Sequence, residues 1–249
     1  MWNQFIHILG MIIGWTMIIP MVSGSVVVVI SRANKRLSIS LGGFYGQIIL
    51  GGLGIIIHEL SHLITALLFG HRIKRVSLLH IPNANVSNDR GLGYVSHVWN
   101  DKSYYQKIGN FFIGIAPVIG CAFVMLLSTR WLVPSIYCHL FGPINGGQLT
   151  DFSVSWWRFL LWIILMTNIS IGGFDLSTAD LQNSRQGLVT LVVFLVIISL
   201  GLSLVETPQR LGDQLVRFVH PLMGALGFSI VVNITLWLVL RLIVNLKRH

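Results

Sequence analysis

The chain has 249 residues, of which 54% are apolar and only 10% charged. A soluble domain of this size carries about a quarter charged residues, so the composition excludes an ordinary soluble enzyme and points to one integral-membrane domain over residues 1–249. Lys and Arg number 17 against 8 acids, a formal charge of +9. In so apolar a chain such residues flank spans and contact the lipid bilayer, which accounts for the excess without nucleic acid. Cys121 and Cys138 are too few for a disulfide framework and lack metal-ligand spacing.

Six apolar stretches follow in chain order, over approximately 5–30, 42–69, 110–128, 156–173, 187–204 and 224–245. Each crosses, or nearly crosses, about 30 Å of hydrocarbon at about 1.5 Å per residue. No basic region precedes the first, so it reads as a retained span rather than a cleaved signal. Residues 31–40 form a short basic connection with Arg32, Lys35 and Arg36. Residues 71–107 are the longest polar stretch. They hold two strand-like pieces, 72–81 and 92–99, separated by the turn-rich runs Pro82-Asn83-Ala84-Asn85 and Asn88-Asp89-Arg90-Gly91. Residues 131–141, interrupted by Pro134, are too short to span and read as re-entrant or interfacial. Residues 143–147 are turn-rich, and 209–220 read as a short amphipathic helix at the interface. The expected architecture is an all-α polytopic membrane protein of about six transmembrane helices with a small β element after the second.

The second stretch contains His58-Glu59-Leu60-Ser61-His62. Residues four apart share a helix face, so both imidazoles reach one ion, and Glu59 can act on a water without being a ligand. At this chain's own His and Glu frequencies the pattern arises by chance about once in four hundred such chains, so coincidence explains it poorly. Its place inside an apolar span adds weight, because ionisable groups there are costly and functional by default. The bland alternative is a structural polar cluster with Glu59 hydrogen-bonded across helices.

A catalytic zinc typically has three protein ligands and an open position. Of the acids outside the motif, Asp89, Asp101 and Asp151 fall in loops, and Glu206 and Asp213 follow the fifth stretch. Asp175 and Asp180 follow the fourth stretch, at the membrane face where the second also ends. Asp180 is the preferred third ligand and Asp175 the alternative. Against a metal role, Ser177-Thr-Ala-Asp180 also resembles a capping box. Asn168 suits either hydrogen bonding to an oxyanion or a structural amide between helices. The remaining His residues, including His71 and His97, read as surface or interface residues.

HExxH at 58–62 with a later Asp resembles the site-2 protease family, as do the β-like loop and Gly109-Asn-Phe-Phe-Ile-Gly-Ile-Ala-Pro117. The resemblance covers about residues 42–182. The second motif departs from the family's usual Leu-Asp-Gly and looks like a Leu-Ser-x-x-Asp variant of bacterial relatives. It implies an integral protein of a bacterial cell membrane that binds Zn2+ through His58, His62 and Asp180. Glu59 would be the base in hydrolysis of a peptide bond in or near the membrane span of a protein or peptide substrate. Two other readings are a non-enzymatic metal-ion carrier and an inactive relative that binds membrane proteins.

Overall fold

The computed structural model describes residues 2–80, 92–142 and 155–247. The turn runs expected at 82–91 and 143–147, with Asp89 and Asp151, lie outside the described residues. Helix α1 (Trp2–Ile13) passes through a π-helical turn, Gly14–Ile18, into α2 (Ile19–Leu68). Strands β1 (Arg72–Ser77) and β2 (Tyr94–Val98) follow, then α3 (Tyr104–Leu132) and α4 (Pro134–Phe141). Helices α5 (Trp156–Gly172), α6 (Thr178–Val205) and α7 (Pro208–Lys247) complete the order.

The described residues are mostly helical, with one two-stranded sheet. Among the described residues, four helical runs are long and apolar enough to cross a membrane: Trp2–Leu68, Tyr104–Leu132, Thr178–Val205 and Pro208–Lys247. The expected six separate spans are therefore not seen as six helices. The first two stretches belong to one run, and α5, at 17 residues, is about 26 Å long and short of the hydrocarbon thickness.

Within α2, Gly43 alone departs from helical geometry (φ 63°, ψ −155°), a left-handed conformation that glycine adopts without steric cost. The run doubles back there. Gly24 packs on Val118 and Ser61 packs on Gly120, although a straight helix would hold Gly24 and Ser61 about 55 Å apart. The basic segment 31–40 is therefore not a loop but the end of the first leg. Arg32 and Lys35 share one face of it, and Ser31, Asn34 and Ser38 are fully buried. Residues 209–220 are likewise helical, but they continue through Pro221 as the start of α7 rather than forming a separate interfacial helix. The piece at 131–141 divides between the end of α3 and α4, which has Pro134 in its first turn.

The exterior is apolar. Ile49, Val189 and Val205 are 73%, 71% and 83% exposed, and only 17% of the most apolar window of α6 is buried. Polar side chains lie inside, with Asn34 bonded to Asn233 between α2 and α7. Such an inside-out distribution is compatible with insertion in a membrane. The interior cluster joins Val27 on the first leg to Cys121 and Met125 on α3, Ile169 on α5 and Leu226 on α7. The second leg meets α5 through glycines. A Cβ at Gly172 would collide with the Gly51 carbonyl, and one at Gly54 with that of Asn168, so the two backbones touch.

Candidate metal centre

His58, Glu59 and His62 lie on the second leg of α2 and are buried at 7%, 7% and 5% exposure. The four-residue spacing brings the two His Nε2 atoms to 3.1 Å. Each ring is fixed from behind by a carbonyl: His58 Nδ1 lies 2.9 Å from the Gly173 oxygen and His62 Nδ1 lies 2.8 Å from the Ile113 oxygen. A carbonyl only accepts, so both Nδ1 atoms carry protons and donate them. In the neutral rings this leaves both Nε2 lone pairs facing each other.

Asp180 reaches the same point from the first turn of α6. Its Oδ1 is 3.0 Å from His62 Nε2 and its Oδ2 is 3.8 Å from His58 Nε2. The capping box is present too: the Ser177 N–H donates to Asp180 Oδ2 and the Asp180 N–H donates to Ser177 Oγ. The cap aims the carboxylate at the His pair, so capping and metal ligation are compatible. One ligand atom from each of His58, His62 and Asp180 lies within 4.8 Å of the others, and this buried group can hold a metal ion. The donor set fits one: two nitrogen lone pairs and a carboxylate converge on one point, which needs a cation to be favourable.

Glu59 is not in that group but lines the same cavity, of about 150 Å³, with Gly93, Val95 and His97 of the strand region and Asn183 of α6. The carboxylate side chain lies against the strand backbone. A Cβ at Gly93 would come within 2.7 Å of Glu59 Cγ.

Asp175 is engaged elsewhere. Its Oδ1 accepts from Arg32 Nε at 2.9 Å and its Oδ2 from Lys35 Nζ at 2.8 Å. Burial pushes its carboxyl up, but the bonds from Lys35 and Arg32 outweigh this and hold it below the usual carboxylate range. Asn168 is engaged within its own helix and with α2: its Nδ2 donates to the Ile164 carbonyl one turn back in α5, and its Oδ1 accepts from the Leu53 N–H at 3.4 Å.

Two His residues read from sequence as surface or interface residues, His71 and His97, meet beside the cavity. His71 is 4% exposed, and its Nε2 donates to the Gln106 carbonyl at 2.9 Å. Its Nδ1 lies 3.0 Å from His97 Nδ1, and His97 lines the cavity. Burial lowers both pKa values. For His97 the neighbouring His71 and His62 add to the effect and bring it to about 4, and for His71 the Gln106 bond opposes it. The sequence signal was the alternation Gly93-x-Val95-x-His97, which turns one face of β2 toward the HExxH helix.

No family model, curated protein or solved structure matches this chain. Fold and site together define a mostly helical, membrane-compatible protein with a buried His-His-Asp group able to hold a metal ion.

Proposed function

We propose that the chain is an intramembrane zinc metalloprotease of the site-2 protease type. It would hydrolyse a peptide bond in or near the membrane span of a protein or peptide substrate, in a bacterial cell membrane. The observation that carries this reading is the division of labour around one cavity. His58, His62 and Asp180 converge as a group able to hold a metal ion, while Glu59, outside that group, lines the same space beside β2. The six apolar stretches would then cross or, for α5, nearly cross the bilayer, with the two legs of α2 counted separately about Gly43. His62 precedes the end of α2 by about 9 Å, which sets the site below the surface of the bilayer.

Zinc held by His58, His62 and Asp180 would supply Lewis-acid activation of water. Glu59 would take a proton from the attacking water as its oxygen adds to the scissile carbonyl. It would return the proton to the leaving amine as the C–N bond breaks. A substrate helix buries its peptide bonds and must be unwound first. In the described two-stranded sheet, β1 covers one edge of β2, and the other edge can hold an extended segment by main-chain hydrogen bonds.

The test compares membranes carrying the wild-type chain or Glu59→Gln by mass spectrometry of new protein N-termini, with zinc measured in both. New termini near substrate spans only with wild type, at equal zinc content, support the protease. Equal termini with zinc retained overturn it in favour of a metal-ion carrier or a non-enzymatic binder of membrane proteins.

A further inference from the structure

The carbonyl that orients His62 has an unusual origin. Ile113 lies within α3, where its oxygen would ordinarily accept from the N–H of residue 117. Residue 117 is Pro117, inside the helix and buried, with no N–H to give. The Pro ring also crowds the carbonyl four residues before it and tilts that group away from the helix axis. A carbonyl freed this way inside an apolar bundle needs another donor. His62 Nδ1 fills the role at 2.8 Å. The adjacent Gly114 brings the same turn against the other ligand-bearing element, since a Cβ there would collide with the Asp180 carbonyl.

We infer that Pro117 is a positioning residue for the metal centre: by withholding an N–H from Ile113 it reserves that carbonyl for His62, which keeps the His62 Nε2 lone pair turned to His58 and Asp180. The zinc part of this inference rests on the function proposed above; the tautomer part does not. The same logic serves His58, whose partner Gly173 closes the end of α5, where a carbonyl also lacks an intrahelical donor. The two ligands thus draw on two different interruptions of helical hydrogen bonding.

Pro117→Ala restores the N–H, so the Ile113 carbonyl returns to the α3 ladder in competition with His62. The experiment uses the full chain in lipid nanodiscs, labelled with ¹⁵N-histidine, as wild type, Pro117→Ala and Pro117→Gly. The His62 tautomer is read by NMR in the metal-free protein, and zinc affinity by competition with a chromophoric chelator. The wild type should show His62 protonated at Nδ1. Both variants should lose that preference and bind zinc about 10- to 100-fold more weakly, the range for loss of a ligand's supporting hydrogen bond. Thermal stability of Pro117→Ala should not fall, because Ala is the better helix residue. If one variant does not fold, the other decides. Unchanged tautomer and zinc affinity within twofold in the folded variant would overturn the inference. A wild type that binds no zinc would sink the metalloprotease reading, and the tautomer shift would still decide the role of Pro117.

Discussion

Ser177 and Asp180 bind each other twice: the Ser177 N–H donates to Asp180 Oδ2 at 2.6 Å, and the Asp180 N–H donates to Ser177 Oγ at 3.1 Å. The start of α6 and the candidate third ligand are therefore one device. Asp180→Asn keeps an acceptor oxygen for the Ser177 N–H but removes the anionic ligand. It should abolish or strongly reduce zinc binding while costing little of the cap. Ser177→Ala should do the converse, lowering stability by about 1 kcal/mol with zinc retained at weaker affinity. Metal analysis alongside thermal unfolding separates the two, and full zinc occupancy in Asp180→Asn would remove it from the site.

His58→Ala and His62→Ala should each lose the one zinc expected per chain, because two remaining ligands fall short of the three that a catalytic zinc keeps. Atomic absorption on the purified proteins reads the stoichiometry directly. Full occupancy in both variants would place the metal elsewhere.

Asp175 holds Arg32 and Lys35 against the segment between α5 and α6, and Arg32 also donates to the Leu176 carbonyl. That segment carries Gly173, the acceptor for His58, and Ser177, the cap of Asp180. Asp175→Asn should therefore weaken zinc binding, but less than Asp180→Asn does. Chelator competition ranks them, and the opposite order would transfer the ligand role to Asp175.

His71 and His97 should make the β element sensitive to acid. Their folded pKa values lie below the ordinary 6.5, near 4 for His97. Between those values the unfolded chain binds more protons, so stability rises with pH across this window. Their full contribution is present above about pH 6.5 and is lost as the pH falls toward about 4. Amide exchange in β1 and β2 should accelerate over that range. At neutral pH, NMR should find His71 protonated at Nε2 and His97 at Nδ1, since Gln106 can only accept. A His97 already charged at pH 6.5 would contradict this arrangement.

The pairing of His58 with His62 was legible in the sequence because its geometry is local: four residues on a helix fix which side chains share a face, whatever surrounds them. The same holds for the apolar stretches, for the two strands after the second of them, and for the Ser177–Asp180 cap, each of which depends on neighbours in the chain. The basic run at 31–40 was misread because its meaning depends on a distant acid. Arg32 and Lys35 stay helical and partly buried since Asp175, 140 residues or more away, neutralises them. Only the tertiary structure shows that Asp180, and not Asp175, stands with the two His, because both follow α5 within one short segment and differ in what faces them. The same is true of His97, which depends on how β2 docks beside α2, and of Ile113, whose carbonyl matters only because α3 packs against His62. Periodicity and spacing report on contacts made within an element. Which acid joins the His pair, the tautomers of that pair and the walls of the cavity are contacts between elements, and those are decided by packing.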